Sequence, residues 1–121
     1  MSERPHKRLK AWQKAMELVE LTYRLTEGFP REEQFGLISQ MRRAALSVPT
    51  NIAEGAARHS CKETLQFYFI ARGSLSELDT LAELSQRVRF LAKDHESELC
   101  EKTAQVSSLL QGLIVHNQDR T

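Results

Sequence analysis

Between Gln34 and Arg58, apolar side chains recur at Ile38, Met41, Ala45, Val48 and Ile52, at steps of 3, 4, 3 and 4 residues. That rhythm places one side chain per turn along a single seam, the pattern of a helix packed against other helices; a half-buried strand would alternate every second residue. Pro49 stands inside the repeat, where it has no N–H for the i→i−4 hydrogen bond and crowds the carbonyl one turn back. An irregular loop would shift the phase of the seam, and the phase does not shift. One continuous helix is therefore expected, bent near Ala45–Val48, with Ser47 placed to help satisfy the freed backbone. Ala44, Ala45, Ala53, Ala56 and Ala57 keep it thin enough for close neighbours.

Three more segments carry the same period. The first runs from about Leu9 to Thr26, with Trp12, Ala15, Met16, Val19, Tyr23 and Thr26 at helical steps. GFPREEQFG stops it: Gly28 suits a C-cap, Pro30 cannot continue a helix, and the acids that follow suit the first turn of the second helix, which begins near Glu32–Phe35. After AARHS loses the period, Ser60 with Glu63 three residues on reads as a capping box for a long third helix, about Cys61 to Leu91. Its stripe is Phe67, Ala71, Ser74, Leu78, Leu81, Ser85 and Val88, preceded by LQFYFIA, which is apolar on nearly every side and calls for cover on more than one side. KDHE at 93–96 reads as a polar turn, and a last helix, about Glu96 to His116, presents Leu99, Val106, Leu110 and Leu113, widened by Leu109 and Ile114.

Four helices, short connections and no strand pattern predict an all-α fold, an antiparallel up-down-up-down four-helix bundle. Its expected limits are 9–116, between a flexible basic leader, 1–8, and a disordered tail, 117–121. At 121 residues the chain holds one core and no separate catalytic module. No apolar run reaches 18 residues and no hydrophobic core follows the basic start, so no membrane segment is expected and the cytoplasm is the expected compartment. Cys61 and Cys100 show no metal-binding or redox spacing and are expected as buried free thiols.

No arrangement of residues carries catalysis. His6, His59, His95 and His116 fall in four different settings, none at the i, i+4 spacing of a helix-borne metal site, and neither a GxSxG elbow nor a glycine-rich phosphate loop occurs. No enzyme activity, metal or cofactor is expected. Glu54, in the small-residue stretch NIAEGAA, is within reach of Arg58 or of Arg72 and reads first as a structural ion pair.

Net charge is +1, yet its distribution is uneven: residues 1–14 sum to +4 and 42–62 to +3, whereas 15–41 and 94–121 each sum to −3. A phosphate-contacting surface would draw on the leader, Arg4, Lys7, Arg8, Lys10 and Lys14, and on Arg42, Arg43, Arg58 and Lys62. The last four form two patches, because Arg42 and Arg43 lie more than three turns before Arg58.

Taken together, WQKAMELVELTYRLTEGFP, FGLISQMRRAALSVPTNIAEGAARHS and KETLQFYFIARGSLSELDT resemble a bacterial family of four-helix-bundle proteins. Its members were first noticed as reading frames within intervening sequences of large-subunit ribosomal RNA genes, and they include the accessory protein of diversity-generating retroelements. The resemblance spans about residues 8 to 115, and its most specific part is SxPxNIAEG combined with ARGSLxEL. It implies a homopentameric ring with a central channel, and a non-enzymatic scaffold that binds RNA or DNA and associates with a reverse-transcriptase-like partner. A ring needs a patch on each subunit that meets a different patch on the next, and the apolar surplus at Leu65, Phe67, Tyr68, Phe69 and Ile70 is the expected source. A protein–protein assembly module without nucleic-acid affinity is the second reading.

Overall fold

The computed structural model describes residues 4–121, which form four α-helices: α1 Lys10–Thr26, α2 Leu37–Ala56, α3 Cys61–Arg87 and α4 Lys93–Gln118. Short 3-10 turns, Pro5–Arg8 and Arg31–Glu33, precede α1 and α2. No strand occurs among the described residues. Each helix packs on two others, α1 and α3 on both α2 and α4, while the diagonal pairs do not touch among the described residues. Polar contacts run in opposite senses across neighbours: Thr64 to Gly55, Ser74 to Ser47 and Ser85 to Met41 between α3 and α2, and Lys102 to Glu17 and Arg24 to Glu98 between α4 and α1. The arrangement is an up-and-down bundle around one core.

The seam of α2 lies in that core. Met41, Ala45, Val48 and Ile52 are fully buried and Ile38 packs at the edge, with the helix unbroken through a buried Pro49. Ser47 behaves differently from expectation. Its hydroxyl accepts from Ser74 Oγ across the helix pair (2.8 Å) and from Asn51 Nδ2 (3.0 Å), so it couples α2 to α3 and does not serve the carbonyl freed by the proline.

Gly55 marks a close approach of the same two helices. A Cβ added there would stand 2.8 and 2.9 Å from two carbons of the Tyr68 ring and 3.1 Å from the Thr64 carbonyl oxygen. Thr64 Oγ1 donates to the Gly55 carbonyl at 2.8 Å, closing the contact. Ser60 starts α3 as expected: its Oγ accepts from the Glu63 N–H at 3.1 Å and its O–H donates to the Glu63 carboxylate at 3.2 Å.

Several expectations need correction. The inward face of α1 is Ala11, Ala15, Leu18, Leu21, Thr22 and Thr26, while Met16 is outside. Thr22 and Thr26 bury without cost because each hydroxyl donates to the carbonyl one turn back, at 2.8 and 2.7 Å. Gly28 has no left-handed conformation; among the described non-glycine residues that role falls to Arg89, φ 69°, in the turn after α3. That turn comes earlier than expected, because the Phe90 and Leu91 amides fold back onto the Ser85 carbonyl and Leu91 tucks into the core. Lys93–Glu96, expected as a turn, is the first turn of α4, where Asp94 and Glu96 complement the helix dipole.

At the two termini order also extends further. Residues 1–3 of the expected leader lie outside the described residues. Residues 5–8 are a 3-10 turn held against α1 and α2, with the His6 ring edge-on to Trp12 (4.9 Å) and Gln13 Nε2 donating to the Lys7 carbonyl (2.8 Å). Likewise α4 continues through Asn117 to Gln118, and the amides of Asp119 to Thr121 all donate to preceding carbonyls. Cys61 and Cys100 are free, but both are partly exposed. Burial, reinforced by Asp79, Glu96 and Glu83, pushes the Cys100 thiol above its ordinary pKa.

The expected interface stretch divides. Leu65 and Tyr68 belong to the subunit's own core, and Phe67 is half-buried beneath the Arg58 guanidinium, 4.7 Å from the ring centre. Only Phe69 (38% exposed) and Ile70 (52%) face outward. The helical turn explains this: positions 65, 68 and 71 share the face that α2 and α4 cover.

Candidate nucleic-acid interface

An up-and-down bundle gathers at one end the starts of α1 and α3 and the finishes of α2 and α4. Here that rule unites segments far apart in sequence. The 3-10 turn brings Arg4, Lys7 and Arg8, α1 begins at Lys10, the α2–α3 corner carries Arg58, His59 and Lys62, and α4 ends near His116 and Arg120. A cleft of about 380 Å³ lies where they meet, lined by Pro5 and Leu9 from the first segment, Arg58 and His59 from the corner, and His116 and Arg120 from the last. A second, of about 430 Å³, separates Arg4, Pro5 and His6 from Thr50, Ala53 and Glu54 of α2.

The opposite end carries Glu27, Glu32, Glu33, Asp94, Glu96 and Glu98 against Arg31, Arg89 and Lys93. A net charge of +1 is thus the sum of a basic and an acidic pole. Sequence reasoning treated the leader and the Arg58–Lys62 patch separately and assigned His116 and Arg120 to a fraying end. Placing the tail on the expected topology would have revealed the cluster.

Side-chain contacts separate the available cations from the committed ones. Arg4, Lys7, Arg8, Lys10 and Lys62 are exposed. Arg58 pairs with Glu54 (2.8 Å), one of the two partners expected for that acid, and covers Phe67. Arg72 takes no part in this pair and lies over Phe69 instead. Lys14 is drawn away: it and Lys102 reach Glu17 at 3.3 and 2.8 Å, tying α1 to α4. Hydrogen bonds from Lys102 first and Lys14 second hold the Glu17 carboxyl below its ordinary pKa.

Two expected phosphate contacts lie elsewhere. Arg42 is part of the fold, its Nε donating to Thr26 Oγ1 (3.0 Å), its Nη2 to the Tyr23 carbonyl (3.3 Å) and its guanidinium lying 4.4 Å from the Tyr23 ring centre. Arg43 is exposed, but it lines a cleft of about 540 Å³ between α2 and α3 together with Glu77, Ser47, Ser74 and the exposed Phe35. Neither belongs to the basic end.

Among the described residues, no three or more His, Cys, Asp or Glu side chains are grouped to hold a metal ion, and no helix is long and apolar enough to cross a membrane. What the basic end offers is cationic side chains that neutralise phosphates, with guanidinium forks suited to two oxygens at once.

The family model described as 23S rRNA-intervening sequence protein matches residues 7–112. Among solved structures, the chain is similar to the crystal structure of a protein with unknown function from the S23 ribosomal protein family of Bacteroides thetaiotaomicron. The two share 20% identity and a TM-score of 0.80, over 86% of this chain and 94% of that one. At that identity the likeness shows the fold alone. No curated protein matches the chain.

Proposed function

Because the chain belongs to the 23S rRNA-intervening sequence protein family, we propose that it is a non-enzymatic, homo-oligomeric scaffold of the cytoplasm that binds nucleic acid through the basic end of its bundle. The nucleic acid is bound alone or within a nucleoprotein that contains a reverse-transcriptase-like partner. One observation carries this reading: Arg4, Lys7, Arg8, Lys10, Arg58 and Lys62 lie on three segments that the topology brings to one end, beside Arg120. Phosphate contacts of this kind exchange protein cations for counterions, so affinity falls steeply with salt. In a titration of labelled single-stranded RNA, the dissociation constant rises roughly fiftyfold between 50 and 200 mM salt if about four phosphates are neutralised. Labelled DNA run in parallel ranks the two nucleic acids. Absence of binding to either at 50 mM removes the proposal.

Oligomerisation is the second part. Phe69 and Ile70, with Leu84 and Val88, leave α3 with exposed large apolar side chains that a neighbouring subunit would cover. A pentameric ring predicts a solution mass near five times 13.9 kDa. A clean monomer at micromolar concentration contradicts it. The same apolar residues favour the alternative, a protein–protein assembly module, and a co-purifying protein with no nucleic acid attached would select that reading.

A further inference from the structure

The cleft at the basic end contains a feature that general polyanion binding does not require. Tyr68 is only 3% exposed, yet it lines the cleft, and its hydroxyl makes no hydrogen bond to any described residue. A hydroxyl withdrawn from water needs a partner, and here the partner has to come from the cleft. Around it the wall is cationic and holds no carboxylate: Arg58, His59, His116 and Arg120 all line it. Below them, Leu9, Ala56 and Leu113 form an apolar side. The cleft also includes the start of α3, where the Cys61 and Lys62 amides donate to no backbone carbonyl. Amides at a helix N-terminus favour an anion.

We propose that this cleft receives a phosphomonoester, the terminal phosphate of a nucleic-acid strand, with the Tyr68 hydroxyl donating to a phosphate oxygen and Arg58 and Arg120 supplying charge. The inference rests on the nucleic-acid reading above and specifies which part of the strand the protein holds. A terminal phosphate carries a second ionisation that internal phosphodiesters lack, which suits a concave site with cations on several sides. The volume, about 380 Å³, lies within the range of small-ligand pockets and favours a strand end over a through-running strand. Burial raises the Tyr68 pKa, so the phenol stays protonated and able to donate at neutral pH. The same chemistry is presented by a free nucleoside 5′-monophosphate, and the experiment separates the two sources.

Short RNA oligonucleotides bearing a 5′-phosphate, a 3′-phosphate or neither are titrated against the full chain at low salt, with a nucleoside 5′-monophosphate as competitor. One phosphorylated end is expected to bind about tenfold more tightly than the unphosphorylated strand, the effect of a charge-assisted hydrogen bond added to a cationic site. Tyr68→Phe keeps the ring that packs on Gly55 and is expected to reduce that preference to within about twofold with an unchanged melting temperature. Arg120→Gln, beyond the end of α4, tests the site independently of the core and lowers the preference by about threefold. Equal affinity for all three oligonucleotides overturns the inference and leaves the nucleic-acid reading standing. Binding of the mononucleotide alone, sensitive to Tyr68→Phe, upholds the phosphate site and removes the nucleic-acid reading. No binding by any probe removes both.

Discussion

Gly55→Ala is expected to destabilise the fold by about 1–2 kcal/mol, although alanine is the better helix former. A methyl group at this position meets the Tyr68 ring at 2.8 Å and the Thr64 carbonyl oxygen at 3.1 Å. Neither can yield cheaply, since one is a buried ring and the other is backbone. Relief requires α2 and α3 to separate, which also stretches the Thr64 Oγ1 bond to the Gly55 carbonyl. Gly73→Ala and Gly112→Ala provide the contrast. Both glycines are helical, and a Cβ at either meets nothing within 4 Å. Each of these substitutions is expected to stabilise a monomeric subunit by about 0.5–1 kcal/mol through helix propensity and a less flexible unfolded chain. Denaturant titrations of the three variants decide the matter: a Gly55→Ala midpoint above the wild type would show that the close approach is not limiting.

Reversing charge at the α2–α3 corner should have the largest effect on binding. The double variant Arg58→Glu, Lys62→Glu removes two phosphate contacts and introduces two repulsive charges, which is expected to weaken nucleic-acid affinity at low salt by about a hundredfold and to flatten its salt dependence. Stability should change little, because the Arg58–Glu54 pair is solvent-exposed. Arg42→Gln is the control with the opposite profile. It removes the donors to Thr26 and Tyr23, costs stability by about 1–2 kcal/mol and leaves affinity within about twofold. If both variants impair binding equally, the basic end has no special part in it.

The helices and their order were legible because the apolar period of 3 and 4 residues is a local property, and Ser60 with Glu63 announces its cap within four residues. Faces were less legible. Thr22 and Thr26 count as polar by composition, yet the helix backbone satisfies their hydroxyls and they bury fully, which turns the inward face of α1 away from Met16. Within NIAEGAA, attention falls on the charged Glu54, whereas the neighbouring Gly55 sets how closely two helices meet. The candidate site was the least legible part, since Leu9, His59, Tyr68 and His116 become neighbours only through the tertiary fold.

The polar ties between helices are of two unlike kinds. Across α2 and α3 they include the buried Thr64 and Ser85 contacts and the half-sheltered Ser47–Ser74 bond. Across α1 and α4 they are ion pairs at the water boundary, Lys102 with Glu17 and Arg24 with Glu98. Partial openings take the least protected path, so amide protons in α1 and α4 should exchange before those at the α2–α3 contact. Such an opening draws the first turn and the tip of α4 away from the Arg58 corner while the central hairpin stays folded. The cationic end would then come apart by local fluctuation at free energies below that of global unfolding.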